Sequence, residues 1–258
     1  MNYDQILYDE ADGIATITLN RPGKLNAMNR AMMDELIDAL ERVHAAAATE
    51  VRVAVLAAEG RAFMAGADIK EYAGFDDAEF GRFQARGQAI YSGIERNRVP
   101  VLAALNGPAF GGGFEIALAC DLIVAVEGTT VGLPEINLNL IPGGGGTLRL
   151  AEAVGRRRAN ELLMTGEPVE VSLLEQWGVV NHVWPADTFA EETRKLARSL
   201  AARPAEALTG LKQLTRLARP SPPDAALALE NRLLSALHGR PEAAEAIQAF
   251  ADRKRKKR

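Results

Sequence analysis

Between Gly13 and Val126 the chain alternates short apolar runs with amphipathic helical stretches, and this rhythm restricts its fold more than any other feature. Val51 to Ala57, Val99 to Leu105 and Leu122 to Val126 are almost uninterrupted apolar runs. A strand with one wet face would alternate polar and apolar residues, whereas continuous runs suit strands covered on both faces by helices. Gly13 to Asn20, rich in Ile and Thr, reads as another strand, followed by a turn at Pro22 and Gly23. Helices are expected over Arg30 to His44, with Met33, Leu36, Ile37, Leu40 and Val43 in one stripe, and over Ala78 to Arg96, with Phe80, Phe83, Ile90 and Ile94 at helical spacing. A short helix over Ile69 to Tyr72 has Asp68 placed to cap it, and Gly111 to Gly113 lead into a helix from Phe114 to Cys120. Strands alternating with helices give an α/β class. The spacing leaves open whether the units form one open sheet or a superhelical stack.

From about Phe189 the strand signals stop. Four helical stretches follow, punctuated by Pro204, by Pro220-Ser221-Pro222-Pro223, and by Gly239 and Pro241. The expected division is therefore a core over 1–188 and a helical subdomain over 189–258. Its apolar stripe, Leu227, Leu233, Leu234 and Leu237, suits either another subunit or the chain's own core. With 48% hydrophobic and 25% charged residues the chain can build a packed core, which argues against disorder. A formal charge of −4 gives no general attraction to nucleic acid or to an anionic membrane. The exception is the basic run Arg253 to Arg258, read as a solvated tail or as an electrostatic aid to a phosphate-bearing ligand. Cys120 is the single cysteine, so no internal disulfide forms and a reducing compartment is expected. Met1 to Glu10 lacks the basic and apolar regions of a secretory signal, and no window approaches a membrane span, so the expectation is a soluble cytoplasmic protein.

Several chemistries fail on spacing. His44, His182 and His238 lie far apart, which gives a metal site no support. Neither Gly111–Gly113 nor Gly143–Gly146 is followed by the Lys of a phosphate-binding loop. Gly113 is followed by Phe114, Glu115 and Ile116, so the third glycine of a dinucleotide fingerprint is missing. What remains is Asn106 to Glu115: a strand end, a glycine turn and a helix start. Glycine lets backbone amides approach a ligand, and a helix N-terminus adds unsatisfied N–H groups and positive partial charge. That environment suits an oxygen that becomes negative during reaction. Glu115 in the first helical turn and Glu135, in a turn among apolar neighbours, are candidates for an acid/base pair. Spacing alone does not establish that they converge.

At these residues the chain closely resembles the crotonase superfamily, specifically the enoyl-CoA hydratases, over nearly its whole length. Asn20 to Asn29 looks like the signature at the coenzyme A entrance, and Ala62 to Lys70 like the first oxyanion loop. Gly111 to Asp121 resembles the second oxyanion loop with its helix, and Gly132 to Leu150 the second catalytic segment. The resemblance implies a spiral of repeated ββα units with a C-terminal helical subdomain that mediates homotrimers or homohexamers. It implies that the amides of Ala67 and Gly112 hold the thioester oxygen, and that Glu115 and Glu135 act as base toward water and acid toward C2. Lys24, Leu25, Ala27, Ala65, Ala67, Asp68, Ile69, Lys70, Gly111, Gly112, Pro134 and Gly143 would contact substrate or its coenzyme A handle. No metal or redox cofactor is implied. Residues from Tyr72 to Tyr91 would line the acyl end, where Phe75, Phe80 and Phe83 read as an apolar wall or as core. Phe250 and its basic neighbours loosely match a region that touches coenzyme A from another subunit. Gly144 stands where hydratases more often place alanine, a change expected to be tolerated. Sibling activities, Δ3-Δ2 isomerisation or thioester hydrolysis, are the alternatives, with a non-catalytic acyl-CoA-binding scaffold as the alternative of another class.

Overall fold

A computed structural model describes residues 3–47, 50–217 and 223–253. The chain opens with the antiparallel pair β1 (Ile6–Ala11) and β2 (Ile14–Leu19), which leads into α1 (Arg30–Ala46). β3 (Val53–Ala58) is followed by the short α2 (Ile69–Tyr72) and the long α3 (Asp77–Arg96). β4 (Val101–Leu105), β5 (Ala109–Phe110) and α4 (Gly112–Ala119) form the next turn of the chain. After β6 (Leu122–Val126) and β7 (Thr130–Gly132), a 3-10 turn over Pro134–Leu138 precedes α5 (Gly146–Val154) and α6 (Arg156–Thr165). β8 (Val169–Glu170), α7 (Val171–Gln176) and β9 (His182–Trp184) close the strand-containing part. α8 (Phe189–Ala201), α9 (Ala205–Leu217), α10 (Pro223–His238) and α11 (Pro241–Arg253) complete the chain.

Each turn of the chain lays one strand into a large sheet and a shorter extended piece into a small one. The large sheet runs β1-β2-β3-β4-β6-β9, parallel throughout except for the β1–β2 hairpin. The small sheet runs β5-β7-β8, and single bridges Met28–Ala67 and Met64–Ala109 continue its layering toward the N-terminus. Stacked turns of this kind make a spiral, which resolves the choice between open sheet and superhelix. The central strands are covered on both faces, as their apolar runs demand. Leu56, Ala103 and Ile123 join α1, α3 and α4 in the main core. Val55, Leu102 and Val124 face the other way, against Phe189 and Ala197 of α8.

Several elements differ from the sequence expectation. β1 lies in a segment read only for its lack of a signal peptide, and β5, β7, β8 and β9 are too short for periodicity to reveal. α4 begins at Gly112 rather than Phe114, which puts the Gly112 amide in the first helical turn. Asp68 does not cap α2 through its side chain but pairs with Arg21 at 3.3 Å. The C-terminal helices pack on their own chain: α10 against α3, and α11 against α2 and the Pro134–Leu138 turn. Leu234 is buried and Leu237 packs on the main core; the side chains of Leu227 and Leu233 lie outside the described residues, as does the run 254–258.

Candidate active site

The loop between β3 and α2 is pinned from both sides. Met28 N–H donates to Gly66 O at 2.8 Å and Asp68 N–H to Met28 O at 2.8 Å. Met64 bridges to Ala109 on the other side. In such a parallel bridge the intervening amide faces away from the partner strand, and the Ala67 N–H has no acceptor among the described residues. The Gly112 N–H, at the start of α4, likewise has none. A Cβ on Gly112 would lie 3.9 Å from Ala67 N, and both residues line the same cavity. Gly111 precedes Gly112 at φ 52 and ψ −127, a backbone conformation that favours glycine, and a Cβ there would meet Glu135 Oε1 at 3.0 Å.

Glu115 lies one helical turn after Gly112 and is 3% exposed. Its Oε1 accepts the amide of Gly144 at 2.8 Å and that of Gly146 at 2.9 Å. Burial pushes its carboxyl above the ordinary range, while those amides, the Arg149 charge and a hydrogen bond from Tyr91 draw it the other way. Arg149 on α5 holds the loop as well, since its guanidinium donates to Gly144 O. Glu135 sits in the first turn of the Pro134–Leu138 segment, half-buried. Both glutamates line one cavity with about 770 Å³ of empty space. Among the described residues lining it they are the only carboxylates. Its far wall is apolar, formed by Tyr72, Phe80, Phe83, Leu138, Leu140 and Leu234.

A second cavity, with about 1490 Å³ of empty space, adjoins the first and shares Ala65, Ala67 and Ile69 with it. Lys24, Leu25, Ala27, Asp68 and Lys70 line this outer space, together with Arg61 and Phe250. Gly111, Gly112, Pro134 and Gly143 line the inner one. The sequence-derived site residues therefore gather around two connected spaces. Phe250 reaches the outer space from α11 of the same chain. Phe80 and Phe83 line the cavity, whereas Phe75 stacks under the Arg30 guanidinium, 4.5 Å away. A Cβ on Gly144 would lie 2.1 Å from Tyr91 Cε2, so the glycine leaves room for a buried ring that alanine would have to move.

Tyr91 and Arg149 were not singled out from sequence. Tyr91 enters only as the end of the Tyr72 to Tyr91 stretch expected at the acyl end, and Arg149 falls within the Gly132 to Leu150 segment with no role of its own. Only the fold brings both against Glu115.

The sequence model of the enoyl-CoA hydratase/isomerase family matches residues 9–257. The chain belongs to this family. A 2,3-dehydroadipyl-CoA hydratase of Escherichia coli (strain K12) is 34% identical over 250 residues, covering 97% of this chain and 96% of the relative. A probable enoyl-CoA hydratase of Rhizobium meliloti (strain 1021) is 35% identical, covering 99% of this chain and 98% of the relative. The crystal structure of an enoyl-CoA hydratase from Mycobacterium avium subsp. paratuberculosis K-10 superposes with a TM-score of 0.89 at 30% identity, covering 96% of this chain and 99% of that one. The fold is thus the crotonase α/β spiral, and the chain is an enzyme of the enoyl-CoA hydratase/isomerase superfamily, whose substrates are acyl-CoA thioesters. No helix among the described residues is long and apolar enough to cross a membrane.

Proposed function

We propose that this family member is an enoyl-CoA hydratase, adding water reversibly and syn across the double bond of a 2-enoyl-CoA to give a 3-hydroxyacyl-CoA. The observation that carries the reading is the pair Glu115 and Glu135, both on the cavity that Ala67 and Gly112 also line. The Ala67 and Gly112 amides receive the thioester oxygen, polarising the carbonyl so that C3 becomes electrophilic. As water adds, negative charge moves onto that oxygen as an enolate, and each amide donor is worth about 3 kcal/mol at this point. Glu115 takes the proton from water, and Glu135 delivers a proton to C2. The reverse reaction, dehydration, uses the same groups. Lys24 and Lys70 flank the outer cavity, where the phosphates of coenzyme A would find their charge.

Two carboxylates favour hydration over double-bond migration, for which one carboxylate that carries the proton between C2 and C4 suffices. The same reading includes a cytoplasmic homotrimer or homohexamer. It is tested with crotonyl-CoA, following loss of the enoyl-thioester absorbance for wild type, Glu115→Gln and Glu135→Gln. Each variant is expected to lose at least about a hundredfold in kcat while still binding ligand. Full hydration by either variant, or a wild type that only isomerises 3-enoyl-CoA, overturns the reading.

A further inference from the structure

Tyr91 is 4% exposed and belongs both to the main core and to the cavity wall. Its hydroxyl would lie 3.1 Å from a Cβ on Gly112, beside the cavity that Ala67 also lines, and it hydrogen-bonds Glu115. The ring occupies the place where any residue larger than glycine at 144 would put its side chain. A Cβ there would meet Tyr91 Cε2 at 2.1 Å, Tyr91 Cζ at 2.4 Å and Glu115 Oε2 at 2.8 Å. Glu115 Oε1 is already committed to the Gly144 and Gly146 amides. The carboxylate is therefore held from the loop side by backbone and from the α3 side by a phenol.

The geometry points to Tyr91 as a positioning residue for Glu115, admitted by the absence of a side chain at Gly144. A hydroxyl donating to a carboxylate fixes its rotamer and favours its ionised form, the form that accepts a proton from water. The titratable and charged groups around Glu115 are Tyr91 on α3, Arg149 on α5 with Glu95 behind it, and Glu135 on the cavity's other segment. Of these, Tyr91 is the one whose contact can be removed without altering a full charge.

The inference rests on the role of Glu115 as base, so its test reads the carboxyl directly as well as the rate. Tyr91→Phe keeps the ring and deletes the hydroxyl. It is expected to leave KM for crotonyl-CoA within about twofold and to lower kcat about tenfold at neutral pH, the scale of one hydrogen bond to a charged group. The acidic limb of the pH–rate profile should move up by about one unit, since one favourable interaction of the carboxylate is gone. Infrared titration of the carboxyl band that disappears in Glu115→Gln should show the same upward displacement. Replacing Tyr91 by 3-fluorotyrosine, a stronger hydrogen-bond donor of nearly the same size, should displace the band the opposite way and keeps the test open if Tyr91→Phe folds poorly. A rate loss uniform across pH with an unmoved carboxyl midpoint means that the ring merely packs, and overturns the inference; so does a Tyr91→Phe enzyme indistinguishable from wild type. If wild type hydrates no enoyl-CoA but the carboxyl midpoint still moves, the hydratase reading falls and the Tyr91–Glu115 coupling stands.

Discussion

Arg149 Nε pairs with Glu95 Oε1 at 2.9 Å, with the two side chains 5% and 10% exposed, directly behind the loop that holds Glu115. The same guanidinium donates to Gly144 O and lies 5.9 Å from the Tyr91 ring centroid. A buried ion pair is costly to break from one side, because the remaining charge stays in low dielectric. Arg149→Met is therefore expected to lower unfolding stability by about 3–5 kcal/mol in urea titration. Arg149→Met with Glu95→Gln should recover part of that loss, since no lone charge is then buried. A double variant no better than the single one would mean that the guanidinium acts through the loop carbonyl and not through Glu95.

Gly112 and Gly113 are neighbours with separate duties. A Cβ on Gly113 would meet the backbone of Met64, its O at 2.4 Å, so Gly113→Ala must shift α4 away from the loop between β3 and α2. A Cβ on Gly112 would press only on side-chain ends that can give, Tyr91 Oη at 3.1 Å and Met28 Cε at 3.4 Å, with Ala67 N at 3.9 Å. Gly113→Ala is expected to cost about 2 kcal/mol or more in thermal or urea unfolding, on the scale of overpacking a tight site. Gly112→Ala should change stability by less than about 1 kcal/mol yet lower kcat/KM by about a hundredfold, because the methyl stands where the thioester oxygen belongs. The two measurements separate a packing contact from a reacting one.

The parts of this fold legible in the sequence are those governed by long apolar periodicity. The continuous runs of β3, β4 and β6 and the stripes of α1 and α3 follow from burial on both faces. The two-residue strands β5 and β8 escaped, because their place depends on pairing with distant chain and not on their own residues. The candidate site divides in the same way. Gly111 to Glu115 and Glu135 carry local signatures, and the family resemblance supplied the remainder of the oxyanion loop. Tyr91, Arg149 and Glu95 have nothing local to mark them, since their chemistry arises where α3, α4 and α5 meet. Asp68 shows the opposite error: it has a capping residue's sequence position, but Arg21 lies close enough to claim its carboxylate.

The Glu115 carboxyl predicts a pH dependence of stability with a definite sign. Burial raises its folded value above the ordinary 4.5, so the protonated form is the one that folding favours. Its contribution is complete below the unfolded value and is lost as pH rises through the folded one. Glutamine cannot ionise, and its carbonyl oxygen can still accept the Gly144 and Gly146 amides. Glu115→Gln should therefore match wild type near pH 4 and become progressively more stable relative to it as pH rises, in Tm measured across that range. A difference that is flat with pH, or that favours wild type at neutral pH, would show that the amides and Arg149 outweigh burial.

Lys212 on α9 is a latch between the helical C-terminal part and the spiral. Its Nζ donates to Ile94 O at 2.9 Å and Val99 O at 3.0 Å, and reaches Asp121 Oδ2 at 2.7 Å. Asp121 also accepts the Val101 amide at 2.7 Å, so one ammonium ties α9 to the end of α3 and the start of β4. Lys212→Met keeps much of the stem and deletes the donors, leaving two buried carbonyls and a carboxylate to be satisfied. A loss of about 3 kcal/mol in unfolding stability is expected, with faster amide exchange across α9. The loss carries its own pH signature. Burial pushes the Asp121 carboxyl up and Lys212 draws it down, so the ammonium stabilises the ionised form. The deficit of Lys212→Met should be largest at neutral pH, where Asp121 is charged, and shrink as acid protonates it. A deficit independent of pH would assign the latch to the two carbonyls alone.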